Sequence, residues 1–193
     1  MASDPVGLPA DWFDRADNAP DAQFYGVPRL VTHIDDAAIG ALSDCFKDIL
    51  PDGGNILDLM SSCVSHYPNG LNFSSVTGLG MNRVELDANP VLTARVIHDL
   101  NRDPVLPFDD QSFDGCTITV SVQYLTRPLA VFTDLARVLR PGAPCISPIV
   151  RLPEPYCLSD LRAQAERSPA ACILASRKRG LRVCESVLIE PSG

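Results

Sequence analysis

The sequence lacks the residue patterns that mark several classes of protein. Its seven cysteines, at positions 45, 63, 116, 145, 157, 172 and 184, include no C-x-x-C pair, which argues against a disulfide framework and a zinc site. Basic residues are few, 16 against 24 acidic ones, and the net charge of −8 would repel a phosphate backbone, so we expect no nucleic acid partner. No apolar run approaches the roughly 18 residues that span a bilayer, so we expect no membrane association.

The N-terminal stretch has neither the basic start nor the apolar run of a secretory signal. It is also too acidic for a typical transit peptide, which favours a cytoplasmic location over a plastid. Residues 1–23 are rich in Asp, Ala and Pro without periodicity, and we expect a flexible arm there. Residues 24–193 suffice for one domain, and a composition of 46% hydrophobic and 21% charged residues is that of an ordinary globular protein.

Hydrophobic patterns alternate between helices and buried strands along the chain. Residues 36–50 form the clearest helix, with Asp35 as its N-cap. A second helix begins at Pro128 and is stopped by Pro141-Gly142. This alternation predicts an α/β fold with a mostly parallel sheet, in which ligands bind at the carboxyl ends of the strands. The apolar runs predict strands at 55–60, 75–79, 94–98 and 115–120.

Polar and small residues follow the first three predicted strands. Because the carboxyl ends of parallel strands meet at one edge of a sheet, we expect these residues to share one crevice. Each residue also fits a local role, such as a capping acid, a turn serine or the start of an Asx-turn. The candidates for ligand binding are Asp58, Met60, Ser61, Ser62, Gly78, Gly80, Asp99 and Leu100.

A longer pattern in the second half of the chain carries a family resemblance. It consists of His98-Asp99-Leu100-Asn101, Leu106-Pro107-Phe108-Asp109-Asp110, Ser112-Phe113-Asp114 and Arg137-Val138-Leu139-Arg140-Pro141-Gly142. In its spacing this run resembles the class I S-adenosylmethionine-dependent methyltransferases, in their type 11 branch. The resemblance implies a Rossmann-like methyltransferase domain over residues 24–193, with S-adenosyl-L-methionine as the cofactor.

By this resemblance, the loop after the first strand holds the methionine part of the cofactor. Asp58 matches the acid that opens the family's cofactor motif, and Met60, Ser61 and Ser62 lie where a glycine-rich turn normally passes. This sequence has no glycine there. A Cβ at each position blocks the closest approach of a ligand to the backbone, although the serine hydroxyls could supply hydrogen bonds instead.

The next two strand ends would hold the adenosine part of the cofactor. At Gly78 and Gly80 the missing side chains allow close approach to the backbone. The resemblance places Gly80 where an acid normally bonds the ribose, so Glu85 on the following helix would have to reach back. Asp99 and Leu100 match the pair that flanks the adenine, with the acid accepting from the exocyclic amine.

The family pattern weakens beyond residue 147. Pro148 falls where a fifth strand should run, and residues 147–180 are irregular before a strand-like pattern resumes at 181–189. The chain ends before the seventh strand of the fold, so we expect an atypical or truncated C-terminal part. Sheet edges exposed in this way would allow a homodimer.

The resemblance implies methyl transfer to an unidentified, small-molecule acceptor. The alternative is a non-catalytic binding or scaffold protein, which the glycine-free loop and the missing strand would favour. His66, in the loop after the first strand, is the best-placed candidate for a general base, although a solvated loop histidine fits the sequence as well. The sequence assigns no catalytic residue and no metal site.

Overall fold

A parallel sheet organises the part of the chain that this computed structural model describes, which is residues 19–147 and Arg182–Val183. In that part, the strand order is β3-β2-β1-β4-β5-β6 and every neighbouring pair is parallel, which confirms the predicted α/β fold. The strands are β1 (Asn55–Leu59), β2 (Ser75–Gly80), β3 (Ala94–Ile97), β4 (Gly115–Thr117), β5 (Pro144–Ile146) and β6 (Arg182–Val183). The helices are α1 (Asp21–Phe24), α2 (Asp36–Ile49), α3 (Arg83–Ala88) and α4 (Pro128–Val138), with a 3-10 helix at Val122–Tyr124.

Helices cover both faces of the sheet because apolar side chains point to both faces of β1. Ile56 packs with Leu42 and Phe46 of α2 on one face, and Leu57 packs with Leu135 of α4 on the other. All five side chains are completely buried. A strand that is apolar on both faces must be covered on both, which fixes β1 at the centre of the layers.

Capping groups define the helix ends, and both ends of α2 and the start of α4 agree closely with the predicted ones. Asp35 caps α2 with its side chain, and the helix ends at Ile49, one residue before the predicted end. Asn82 caps α3 by accepting hydrogen bonds from two N–H groups of its first turn. Pro128 occupies the first turn of α4, where its missing N–H costs no hydrogen bond.

β1, β2 and β3 match their predicted bounds to within one residue, whereas the next two strands are shorter than the sequence suggests. β4 ends at Thr117 rather than at residue 120, and the chain then turns at Val120, which has a left-handed φ of 55°. β5 ends at Ile146, two residues short of Pro148. Most of the predicted irregular segment 147–180 lies outside the described residues.

The predicted N-terminal arm, residues 1–23, is described only at its end. Residues 21–23 lie in α1, and Asp21 is buried with its carboxylate accepting from Asn101 Nδ2 at 2.7 Å. Residues 1–18 lie outside the described part. Among the residues that are described, no helix is long and apolar enough to cross a membrane.

The order of the strands reverses next to β1. β2 and β3 lie on one side of β1, whereas β4 and β5 lie on the other. In open parallel sheets a crevice forms outside the carboxyl ends of the strands at such a reversal. The fold therefore directs attention to the ends of β1 and β4.

Candidate active site

A cavity of about 420 Å³ opens at the carboxyl edge of the sheet. Its volume falls within the roughly 300–1,000 Å³ that is typical of small-molecule sites. Seven of the eight residues predicted from the sequence are brought together in its wall. These are Asp58, Met60, Ser61, Ser62, Gly80, Asp99 and Leu100.

Gly78 is the predicted residue that does not line the cavity. It lies in the middle of β2, where it pairs with Asp58. A Cβ at this position would overlap the side chain of Leu92, which is 5% exposed. The missing side chain therefore makes room for a core leucine, and the position gives no support to contact with a cofactor.

Asp58 organises the loop that follows β1. Its side chain is 2% exposed, and its Oδ2 accepts from Ser61 Oγ and Ser65 Oγ, each at 2.6 Å. Its Oδ1 accepts from Thr117 Oγ1 at 3.2 Å. Burial raises the pKa of Asp58, and the three hydroxyl donors act against that shift. Asp58 acts on the cavity by holding the loop in place.

A second side chain ties the same loop to the end of α3. Asn89 is fully buried, and its Nδ2 donates to Ser65 Oγ and to the carbonyl oxygen of Ser62, each at 2.9 Å. On the other side of Asp58, Tyr67 and Thr117 share a hydrogen bond of 2.7 Å between their hydroxyls. The loop therefore rests on a connected set of buried polar groups, in which each member restrains its neighbours.

The loop turns without glycine because Met60 adopts a left-handed conformation. Its φ is 59°, a region that glycine enters freely and other residues enter at a cost of roughly 1–2 kcal/mol. The backbone N–H of Ser61 then donates to the carbonyl of Leu79 at 2.8 Å and attaches the turn to the end of β2. The backbone of this turn therefore has a conformation that favours glycine, although no glycine is present.

Gly80 makes room for the protein rather than for a ligand. A Cβ at this position would overlap the carbonyl oxygen of Ser61. Glu85, the acid expected to reach back from α3, does line the cavity and is 7% exposed. Its two oxygens accept from Ser62 Oγ and from the backbone N–H of Arg29, each at 2.7 Å. An acid is therefore present on this side of the cavity, bonded to both segments that flank it.

Asp99 has the local role that the sequence offered and also lies in the cavity wall. It lines the cavity, and its Oδ1 also accepts from the backbone N–H groups of Asn101 and Arg102 at 3.0 and 3.1 Å. This is the Asx-turn that was considered as its local role. The turn orients the carboxylate, and the neighbouring Leu100, 5% exposed, packs into the core beside it.

The N-terminal strap, residues 21–34, forms a wall of the cavity, although none of the predicted cofactor-binding residues lies in it. The carbonyl of Tyr25 accepts from Asn82 Nδ2 at 2.7 Å, in addition to the contacts of Asp21 and Arg29 described above. These three attachments hold the strap against the carboxyl edge of the sheet. The contact of Arg29 could not be predicted, because it is made by a backbone N–H.

Two histidines and two hydroxyl residues form a further part of the wall: His33, His66, Thr119 and Ser121. His66 is half-buried, and this burial lowers its pKa. A hydrogen bond with the backbone of Thr32 acts in the opposite direction, and His33 lowers the pKa further. The ring is therefore neutral at pH 7, as a general base must be.

The wall carries more acidic than basic groups. Asp21, Asp58, Glu85 and Asp99 line the cavity, whereas Arg29 is the one lysine or arginine among the described residues of its wall. The guanidinium of Arg29 lies over the ring of Phe24, 3.9 Å from its centroid. An excess of acidic groups favours a ligand with positive charge.

The sequence matches a known protein family and a curated protein over parts of its length. Residues 68–147 match the family described as a methyltransferase domain, type 11. A stretch of 37 residues is 49% identical to the biotin biosynthesis bifunctional protein BioHC of Teredinibacter turnerae. That match spans 19% of this chain and 6% of the length of the relative, so it bears on a short segment.

Two solved structures share the fold. One is an S-adenosylmethionine-dependent methyltransferase of Thermotoga maritima, with 17% identity over 75% of this chain and 72% of that chain and a TM-score of 0.54. The other is a protein of Bacillus halodurans C-125 described as a methyltransferase, with 15% identity over 75% and 68% and a TM-score of 0.53. The sheet and its strand order define a class I, Rossmann-like methyltransferase fold. The match to the type 11 methyltransferase family covers residues 68–147, which include the strands β2 to β5 and the helices α3 and α4.

Proposed function

We propose that this protein binds S-adenosyl-L-methionine in the cavity and transfers its methyl group to a small-molecule acceptor. The observation that carries the proposal is the convergence of seven predicted residues on one cavity at the strand reversal. The family supplies the cofactor, because proteins of this class use S-adenosylmethionine. Because the curated relative is matched over only 6% of its length, any activity of a whole protein also belongs to this proposal.

The donor groups of the wall fit this cofactor chemically. Its sulfonium and ammonium groups are cationic, and the cavity has four carboxylates against one guanidinium. Its polar atoms need partners, and Ser61, Ser62 and Asp99 bring hydroxyl and carboxylate oxygens to the wall. Leu100 offers an apolar surface suited to a flat base.

The chain's own contribution to the reaction is orientation. Bound S-adenosylmethionine supplies a methyl group that is already activated by the sulfonium charge. The Asp58 network fixes the loop from Met60 to Ser65, and the Asx-turn fixes Asp99. Residues that are held in this way keep a bound molecule in one geometry, which can lower a barrier by several kcal/mol.

The non-catalytic alternative is not favoured. It was attractive because the loop after β1 contains no glycine. The left-handed conformation of Met60 supports the enzyme instead, since the turn forms without a glycine. The family match over residues 68–147 points in the same direction.

Calorimetry with S-adenosylmethionine and S-adenosylhomocysteine tests the proposal. We expect binding at micromolar concentrations by the full chain. A matched pair of variants tests whether the cofactor binds in the cavity. Asp99→Asn alters the cavity wall, whereas Asp103→Asn alters a carboxylate of the same loop that does not line the cavity. Each carboxylate accepts from a nearby backbone N–H, and asparagine keeps an acceptor oxygen.

The two variants should differ in affinity. Loss of a charge-assisted hydrogen bond costs roughly 1.5–3 kcal/mol, so Asp99→Asn should weaken cofactor binding by about 10- to 100-fold. Asp103→Asn should bind like the wild type. No heat at millimolar cofactor, from folded protein, would refute the proposed function. Equal affinity of the two variants would refute the role of Asp99.

A further inference from the structure

Backbone strain is concentrated at the cavity. Among the described residues, the non-glycine residues with a left-handed φ are His33, Met60, His66, Gln111 and Val120. All but Gln111 line the cavity. Such conformations cost of order 1–3 kcal/mol each and persist where the surrounding structure imposes them, often at ligand sites. Met60 belongs to the cofactor loop, which leaves three strained residues to explain.

These three strained residues come from segments that meet in space. Ile34, Tyr67 and Val120 pack in one hydrophobic cluster. His33 and His66 are the residues that directly precede two members of that cluster. The shared cluster therefore holds the strap, the loop after β1 and the loop after β4 against one another.

The polar residues beside this cluster form a distinct part of the cavity wall, which we call the histidine corner: His33, His66, Thr119 and Ser121. The hydroxyl oxygens of Thr119 and Ser121 are buried, yet neither has a hydrogen-bond partner among the described residues. Buried polar atoms are nearly always bonded. Both residues line the cavity with part of their surface, so rotation about χ1 would let either hydroxyl reach a molecule bound there.

We propose that the methyl acceptor binds in the histidine corner as a neutral small molecule with a hydroxyl group, and that His66 takes the proton of that hydroxyl. This inference rests on the proposed function and names the acceptor class for the same cavity. The hydroxyls of Thr119 and Ser121 can each donate to or accept from the bound molecule.

The charges around the corner favour a neutral acceptor. A carboxylate or phosphate would need a cationic partner, and Arg29 is instead directed to Phe24, whose carbonyl accepts from its Nη1 at 3.0 Å. An ammonium group would need a carboxylate beside it, and the four residues of the corner include none. Among the described residues of the wall, His33 is the one titratable group that the corner adds to His66. The others lie outside the corner, and besides Arg29 they are Asp21, Tyr25, Asp58, Glu85, His98, Asp99 and Tyr124.

His66 is suited to accept the proton. Its ring lines the cavity, and the lowering of its pKa by burial favours the neutral form, in which one ring nitrogen is an acceptor. As the acceptor oxygen forms its bond to the methyl carbon, its proton moves to that nitrogen. The carbon–sulfur bond breaks with both electrons remaining on sulfur. S-adenosylhomocysteine and a methyl ether leave, and the imidazolium returns its proton to water.

The three histidines of the chain allow a direct test by NMR, because few imidazole signals need assignment. The probes are phenol, benzoate, phenyl phosphate and benzylamine, which share a ring and differ in the polar group. Each is added to the full chain saturated with S-adenosylhomocysteine. We expect phenol to shift the His66 and His33 signals, and to lower the pKa of His66 because its O–H stabilises the neutral ring.

Other patterns of binding would overturn the inference. A larger response of His66 to benzoate, phenyl phosphate or benzylamine than to phenol would assign another acceptor class. No response to any probe would remove the acceptor site from the corner. If S-adenosylhomocysteine itself does not bind, the proposed function fails, and the inference fails with it.

Variants separate the corner from the rest of the cavity. The double variant Thr119→Val, Ser121→Ala removes both unpaired hydroxyls and should weaken phenol binding at least tenfold, with the affinity for S-adenosylhomocysteine unchanged. Ser112→Ala is the matched control, because that hydroxyl donates to the carbonyl of Asp109 and does not line the cavity. Equal phenol affinity in the double variant and the control would overturn the role of the corner.

Single-turnover reactions test the role of His66. With S-adenosylmethionine and phenol, the wild type should form anisole, and His66→Gln should form it about 10²- to 10⁴-fold more slowly. The wild-type rate should fall as the pH drops through the pKa of His66, whereas the variant should lack this limb. An unchanged rate in His66→Gln, or no anisole from phenol-saturated wild type, would overturn the assignment of the base.

Discussion

Replacement of Asp58 by alanine and by asparagine distinguishes a carboxylate that holds a loop from one that acts through its charge. Alanine removes every acceptor from the hydroxyls of Ser61, Ser65 and Thr117. Each unmade hydrogen bond costs roughly 1 kcal/mol when the donor stays buried, so Asp58→Ala should lower the free energy of unfolding by about 3 kcal/mol.

Asparagine can keep most of this network. Its amide oxygen can accept from Ser61 and Ser65, and its amide nitrogen can donate to Thr117 Oγ1. The hydroxyl of Thr117 can then turn to Tyr67, 2.7 Å away, which leaves one hydroxyl proton without its former partner. That loss is offset because no carboxylate is buried any longer, so Asp58→Asn should stay within about 1 kcal/mol of the wild type.

Urea unfolding of the three proteins, followed by circular dichroism, gives these differences. The pH dependence supplies a second readout. Because burial raises the pKa of Asp58 in the folded state, ionisation weakens the wild type as the pH rises above the unfolded value of about 3.9. The stability of Asp58→Asn relative to the wild type should therefore increase with pH through the folded pKa.

The cofactor affinity of Asp58→Asn should stay within a few-fold of the wild type, since Asp58 acts through the loop. If the asparagine variant is as unstable as the alanine variant, the carboxylate does not serve as a set of acceptors. If it is stable but loses cofactor affinity by 100-fold, the charge of Asp58 acts on the cofactor directly. Either result would refute the reasoning.

Three further changes test the features that shape the cavity. Met60→Gly should be more stable than Met60→Ala by about 1 kcal/mol in urea unfolding, because both lose the side chain and only glycine accepts the left-handed φ freely; equal stability would contradict the strain. Gly80→Ala should lower the free energy of unfolding by about 1–3 kcal/mol, because its Cβ would overlap the Ser61 carbonyl; a neutral change would show that this carbonyl can move. Asp134→Asn should lower the free energy of unfolding at pH 7 and much less near pH 2, because hydrogen bonds from Arg137 lower the pKa of Asp134 and the resulting stabilisation is lost as the pH falls below about 3.9. If the difference between variant and wild type does not depend on pH, the charge of Asp134 is not its cause.

Local patterns predicted most of the fold because they are strong wherever the core is made. The apolar run of β1 and the cap at Asp35 gave the central strand and α2 to within one residue. The end of β4 could not be predicted, because Val120 is β-branched and its left-handed φ contradicts local preference. Val120 packs against a hydrophobic cluster that contains Ile34 and other residues distant in the sequence, and local patterns cannot show such packing.

Seven of the eight candidate residues meet at one cavity, but the sequence could not assign their roles. A glycine at a strand end makes room for something, and the sequence cannot say whether that is a ligand or the protein. At Gly78 it is Leu92, and at Gly80 it is the carbonyl of Ser61. The contact of Arg29 in the strap was missed for a related reason: Arg29 reaches Glu85 through its backbone N–H, which no side-chain pattern reveals.

The hydrogen bonds of the acids in the cavity predict that S-adenosylmethionine binds more tightly than S-adenosylhomocysteine. Asp58 and Glu85 accept from hydroxyls and a backbone N–H, which satisfy the carboxylates without neutralising their charge. The field of these acids therefore remains in the cavity, where low dielectric strengthens it. S-adenosylmethionine carries one more positive charge than S-adenosylhomocysteine, so it should bind several-fold more tightly. Because salt screens partly exposed charges, calorimetry from 50 mM to 500 mM salt should show this ratio shrinking. A tighter complex with S-adenosylhomocysteine at low salt would mean that the acids are neutral or face away from the sulfonium.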